Sequence, residues 1–173
     1  MDRESIVEVY TDGSVQPRNP GNGGSGSILV HEGHVVALGE YLGYNVTNNQ
    51  AELHGIRIAL QEVINLKKYK EKVILYSDSK YSLGVVGGQY LARKNQELVS
   101  SILSLRRKIP KLQLFWVRAH RKMAEAEDDK MKRLILWNDI ADRVAKYSSK
   151  TKDYSWRESL SEEKFLKEHR RTL

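Results

Sequence analysis

Three carboxylates stand where ordered elements are predicted to end or begin. Asp12 follows a β-branched run, Glu52 lies in the first turn of a helix, and Asp78 follows a second apolar run. Side chains at such positions converge easily. Hard divalent cations take oxygen ligands, and magnesium accepts one or two carboxylates while keeping water and phosphate in its other positions. Four acids can therefore hold two ions, and two ions about 4 Å apart activate an attacking water and stabilise the leaving oxygen of a phosphodiester displacement. No thiol or general-base triad is required. Taken singly, each acid has a plain structural explanation: Asp12 before Gly13 suits a turn, Glu52 suits the positive end of a helix, and Asp78 before Ser79 suits an N-cap. The flanking sequence has to decide between the two.

The 173 residues suffice for one domain with a real core and are too few for two ordinary domains and a linker. The chain has no cysteine, so disulfides, thiolate zinc sites and cysteine nucleophiles are excluded, and any metal must sit on carboxylates or histidines. A net charge of +7 and a pI near 9.5 favour a polyanionic partner, because basic side chains release counterions from phosphates. There is no apolar run of membrane-spanning length and no apolar segment after Met1, so a soluble, cytoplasmic protein without a membrane partner is expected.

Ile6–Thr11 reads as a first strand, followed by a loop with Pro17, Pro20 and several glycines. Ser27–Val30 and Val35–Leu38 read as a hairpin whose second strand runs on toward Tyr41. From Asn49 to about Leu66, Leu53, Ile56, Leu60, Val63 and Ile64 recur at three and four, the mark of a helix with one buried stripe. A fourth strand spans Lys72–Tyr76. A short helix ending at Gly87-Gly88, a helix from Asn95 to Arg107, a strand Leu112–Val117 and a helix Trp137–Tyr147 follow, and the tail carries an amphipathic turn around Phe165-Leu166. This order predicts an α/β sandwich around a mixed five-stranded sheet, three antiparallel strands and then two more, flanked by helices. Residues 1–149 are expected to form the catalytic domain, and 150–173 a tail without an assigned role.

Two motifs are set aside. Gly21-Asn22-Gly23-Gly24-Ser25-Gly26 matches G-x-G-x-x-G but runs into a strand, where no helix N-terminus would meet a pyrophosphate. Asn45-Val46-Thr47 fits a glycosylation sequon in a chain expected to stay inside the cell.

Tyr10-Thr11-Asp12-Gly13-Ser14, Thr47-Asn48-Asn49-Gln50-Ala51-Glu52-Leu53 and Tyr76-Ser77-Asp78-Ser79-Lys80-Tyr81 resemble, in order, the catalytic blocks of type I ribonuclease H, the family that includes the RNase H domain of reverse transcriptases. Trp116-Val117-Arg118-Ala119-His120 resembles its histidine segment, and Asn138-Asp139-Ile140-Ala141-Asp142-Arg143-Val144-Ala145 its last helix. The likeness spans residues 5–147 and implies a ribonuclease H-like fold. It also implies an endonuclease that hydrolyses the RNA strand of RNA/DNA hybrids with two Mg2+ ions, or Mn2+ in their place, and leaves 5′-phosphate ends. Asp12, Glu52, Asp78 and Asp142 would be the metal ligands. Asp139 competes for the fourth place, but Asn138 and Asp142 share a helix face from which Asp139 points about 100° away, so Asp139 is expected to stay exposed. His120 matches a loop histidine that moves protons or helps product leave. His31, His34, His54 and His169 match no motif and are taken as structural or solvent-facing.

Reading a hybrid requires sensing 2′-hydroxyls on one strand only. The resemblance points to Asn19, Asn49, Asn138 and the backbone near Gly13 and Ser14 for this task, and to Thr47 and Asn48 for a phosphate of the DNA strand. Lys80 stands where many members have glutamine and is expected to contact phosphate. Between Ser82 and Asn95 the chain lacks the basic, tryptophan-rich protrusion of some members, leaving Lys67-Lys68-Tyr69-Lys70 and Arg106-Arg107-Lys108 as subordinate basic patches. The stretch Arg121–Trp137 is longer than in most members. Met131, Leu134 and Ile135 extend the helical spacing backwards, so the last helix should start near Asp129, preceded by a mobile segment that carries His120 and gates the site. A surface insertion without function is the competing reading. The Met1 start points to a free enzyme; no obligate protein partner is inferred, and a monomer is expected. Two alternatives remain, a nuclease or transposase-like enzyme of the same fold acting on DNA or folded RNA, and a non-catalytic binding module.

Overall fold

The computed structural model describes residues 4–89 and 91–169. Its elements are β1 (Ile6–Gln16), β2 (Gly21–His31), β3 (His34–Val46), α1 (Asn48–Asn65), β4 (Lys72–Ser77), α2 (Lys80–Val86), α3 (Gln96–Arg107), β5 (Leu112–Trp116), α4 (Asp129–Lys150), β6 (Ser155–Ser161) and α5 (Glu162–His169). They build a mixed sheet in the order β5-β4-β1-β2-β3-β6, with β4 parallel to both β1 and β5 and the other neighbours antiparallel.

The period-two alternation of the strands divides the core into two layers. Val7 and Val9 of β1, Leu29 of β2 and Val73 and Leu75 of β4 pack with Leu53, Ile56 and Leu60 of α1 and Ile102 of α3. The intervening Tyr10, Ile28, Val30 and Tyr76 face the other way, against Trp137, Ile140 and Ala141 of α4 and Phe165 of α5. Trp137 is fully buried, with its ring centroid 6.3 Å from Tyr10 and 5.8 Å from Phe165. Burying one large apolar side chain stabilises by about 1.5–3 kcal/mol, so this stack fastens the C-terminal elements to the centre of the sheet.

The expected fold is present, with three differences. The sheet has six strands, because Ser155–Ser161 pairs antiparallel with β3 from His34↔Ser161 to Glu40↔Ser155. Its alternation is masked by charge: Arg157 and Glu158 sit on an edge strand, where charged residues deter further pairing. Second, β1 and β2 run through the segment expected to be a loop. The glycine-rich half of β2 is a strand because α4 lies directly on it, and a Cβ at Gly26 would strike the backbone of Ala141 and Ala145. Third, α4 runs from Asp129 to Lys150 and so exceeds the Trp137–Tyr147 helix at both ends, although its start is where the backward-extended spacing predicts, with Asp128 as its cap, accepting from the Met131 amide at 2.8 Å. Arg133, in this extension, joins Glu162 at 2.6 Å and Glu8 at 3.2 Å, tying α4 to α5 and to β1. No helix among the described residues is long and apolar enough to cross a membrane.

Candidate active site

Asp12 lies within β1, paired with Gly26, and not at the strand's end. It lies two residues beyond Tyr10↔Tyr76, the last residue pair with β4, whose own chain ends at Ser77 with Asp78 next. Both acids therefore emerge where the parallel ladder stops. Thr47 starts α1 with a reciprocal cap: its hydroxyl accepts from the Gln50 amide at 3.1 Å, and its own amide donates to Gln50 Oε1 at 2.9 Å. The first turn of α1 rests on β1 at Gly13, where a Cβ would collide with the backbone of Ala51 and Glu52. That contact brings Glu52 against Asp12. Carboxylate oxygens of Asp12, Glu52 and Asp78 all lie within 4.8 Å of one another.

Burial and the facing acids raise the pKa of all three. Asp12, only 4% exposed, is pushed far above the carboxylate range by burial first and by Glu52 and Asp78 next. Burial raises Glu52, and burial with Asp142 raises Asp78, against a smaller opposing pull from His120. Glu52 Oε2 is buried and has no hydrogen-bond partner among the described residues. Clustered, desolvated oxygen donors of this kind fit a hard divalent cation, whose charge would reverse the like-charge repulsion.

Asp142 projects from α4 toward the same acids, its side chain 17% exposed and Lys146 Nζ at 2.8 Å. It borders a cavity of about 250 Å³ with Asp78, Trp116, His120, Asn138 and Asp139. Asn138 is buried and its Oδ1 has no hydrogen-bond partner among the described residues. Asp139, expected to be exposed, is half-exposed instead: it is engaged with Arg143 at 3.4 Å and lines the same cavity. His120 is exposed in a left-handed conformation at φ 53°. The stretch after it carries a single 3-10 turn, Met123–Glu125.

The other expected substrate residues gather around the start of α1. The Asn48 amide donates to Asn19 Oδ1 at 3.1 Å, while Asn19, Thr47 and Asn49 line a groove of about 1270 Å³ with Arg93 and Lys94 across it. Ser14 is half-buried, 3.5 Å from Ser149 Oγ. Lys80 is exposed, its Nζ 4.5 Å from the Trp116 ring centroid. Of the basic patches, Arg106 is occupied with the Val86 carbonyl at 2.7 Å. His31, His34 and His169 bond to Ser5, Ser159 and Glu158, and burial and Arg57 lower the pKa of His54. The sequence did not disclose Lys146, Arg93, Lys94 or Trp116 as site residues. Lys146 alone had a signal, four residues after Asp142 on one helix face.

A sequence model of the RNase H family matches residues 4–150. The chain belongs to the RNase H family. It is 42% identical over 76 residues to a ribonuclease H of Actinobacillus succinogenes, a match that spans 43% of this chain and 45% of that relative. The fold is similar to that of the N-terminal RNase H domain of a Mycobacterium tuberculosis protein, solved as a fusion with maltose-binding protein. That likeness has a TM-score of 0.66 and 20% identity, and covers 84% of this chain and 94% of the other. It is also similar to LC11-RNase H1, solved in complex with an RNA/DNA hybrid, with a TM-score of 0.65 and 19% identity over 83% of this chain and 96% of that one.

Proposed function

We propose that the protein is an endonuclease that hydrolyses the RNA strand of RNA/DNA hybrids and leaves 5′-phosphate ends. The convergence of Asp12, Glu52 and Asp78 on one buried point, in a chain of the RNase H family, carries this reading. A similar fold has been solved with such a hybrid, which supports the substrate class. Asp12, Glu52, Asp78 and Asp142 would hold two Mg2+ ions, with Mn2+ able to replace them. Bound there, the ions supply an activated water and charge for the leaving oxygen.

The chain's own groups do the remainder. Desolvation around Asp12 and Glu52 strengthens every charge interaction at the reacting phosphate. His120, at the rim beside Asp78, moves a proton or eases product away. Asn138 offers its buried Oδ1 to the substrate, and Asn49 with the Gly13 and Ser14 backbone reads 2′-hydroxyls. Asn19 shares that task, Thr47 and Asn48 hold a DNA-strand phosphate in the groove beside α1, and Lys80 meets another phosphate. The family match at 4–150 supports placing the catalytic unit at residues 1–149, with the tail as an appended edge. The proposal includes a monomer acting in the cytoplasm.

Cleavage assays on RNA/DNA hybrid, duplex RNA, duplex DNA and single-stranded RNA, with Mg2+, Mn2+ or chelator, test it. Cutting confined to the hybrid's RNA and lost in chelator is expected. Comparable cutting of duplex DNA would transfer the site to a DNA nuclease, and binding without cutting in either metal would make the chain a binding module.

A further inference from the structure

Trp116 is the last residue of β5, and its indole is 48% exposed although it lines the acid cavity. Large aromatic side chains left in water at a site usually serve a contact. Two contacts explain its orientation. Trp116 pairs in register with Ser77, so its ring lies across the end of β4, and Nε1–H donates to the Asp78 carbonyl at 3.1 Å. The ring's face lies 4.5 Å from Lys80 Nζ, within cation–π range. One side chain thus braces the backbone of a carboxylate residue and carries an ammonium from two residues further along.

Lys80 opens α2, where the macrodipole disfavours a cation. The ring supplies what the helix does not. A lysine is otherwise a flexible point charge, and stacking on a fixed ring narrows where it can place that charge.

We propose that Trp116 is a positioning residue for the substrate: it presents the Lys80 ammonium to a backbone phosphate of the bound strand at the cavity rim and steadies Asp78 through its carbonyl. The inference rests on the hybrid-nuclease reading and extends it to a residue and a contact of this chain. Because phosphate is the partner, the signature is electrostatic. Losing one phosphate contact lowers the slope of log affinity against log salt by about 0.7–0.9.

The test measures kcat, KM and the salt dependence of hybrid binding, the last in chelator, for the wild type, Lys80→Gln, Trp116→Phe, Trp116→Leu and the Lys80→Gln/Trp116→Leu double variant. Lys80→Gln and Trp116→Leu should each weaken binding about two- to fivefold and flatten the salt slope, and the double variant should bind no worse than the weaker single one. Trp116→Phe keeps a ring but loses the N–H, so its salt slope should stay while kcat falls and the Mg2+ requirement rises. An unchanged salt slope in Trp116→Leu, or additive losses in the double variant, would overturn the platform. If Trp116→Leu fails to fold, the Lys80→Gln slope and the Trp116→Phe split still decide. A wild type that binds hybrid but does not cut it would refute the nuclease reading alone, since the binding arm needs no turnover.

Discussion

Asp12, Glu52 and Asp78 at the end of the parallel ladder, and Glu158, Glu168 and His169 at the β6–α5 edge, each bring ligand atoms within 4.8 Å of one another, yet they are held in opposite ways. The first group is made of acids alone, and burial with mutual repulsion raises the pKa of each. The second contains a hydrogen-bond partner of its own, with His169 Nε2 2.7 Å from Glu158 Oε1, and Glu168 is exposed to water. Proximity of ligand atoms is thus common to both. What differs is whether the fold leaves carboxylates desolvated and facing one another, which is costly unless something outside the chain supplies a countercharge.

The largest effect that separates the groups is on turnover. Asp12→Asn or Asp78→Asn should lower hybrid cleavage by about a thousandfold or more, the order lost when a transition-state charge stabiliser is removed, with near-native circular dichroism. Near-normal cleavage by either purified variant would dissolve the distinction between the groups.

The loop histidine should matter less. His120→Ala is expected to lose about tenfold in kcat, below the range for an obligatory acid or base, with Mg2+ binding unchanged. Deleting residues 122–127, which spares the Asp128 cap, should alter kcat or product release if the segment gates the cavity, and unchanged steady-state kinetics would reduce it to a surface insertion. Complete inactivity of His120→Ala would give the histidine a direct part in the chemistry.

Stability in chelator provides a third contrast, and its sign follows from linkage. The folded-state pKa values of Asp12 and Glu52 are raised, so the folded protein binds more protons than the unfolded chain and loses stability as pH climbs from about 4 toward the raised values. Asp12→Asn removes one of the interacting charges. At pH 8 in chelator it should melt higher than the wild type by about 2–4 °C for each kcal/mol of repulsion relieved, and the gap should shrink toward pH 4 or with Mg2+. A lower melting temperature at pH 8 would mean that Asp12 supports the fold.

The sequence made one of these groups legible and hid the other. Asp12, Glu52 and Asp78 stood in motifs, and the α1 stripe from Leu53 to Val63 was regular enough to place Glu52 in a first turn. The early start of α4 also followed from spacing, since Leu134, Ile135 and Ile140 continue one helical face. The mid-strand position of Asp12 was not legible, because glycines read as loop when their reason for being in a strand, the weight of α4 on Gly26, is a contact between residues far apart in the chain. β6 was obscured likewise: Ser155–Ser161 has weak alternation and becomes a strand by pairing with β3. Trp116 stood in the histidine segment, but its contact was not legible because its hydrogen bond reaches Asp78, 38 residues away.

The smallest expected effect belongs to the second group, and it is the control that gives the first its meaning. Glu158 and His169 form a partly exposed pair, and pairs of that kind contribute about 0–1 kcal/mol. The tail is held chiefly by other means: Phe165 is fully buried against Trp137, Arg133 joins Glu162, and His169 packs on the Phe165 ring at 4.3 Å, a contact that does not need Glu158. Glu158→Gln should therefore leave cleavage and the Mg2+ titration at wild-type values and move the melting temperature by no more than about 2–4 °C. A rise in the metal concentration needed for half-maximal activity would show that the β6–α5 edge binds an ion coupled to catalysis. In that case an internal hydrogen-bond partner would no longer separate a structural cluster of acids from a functional one.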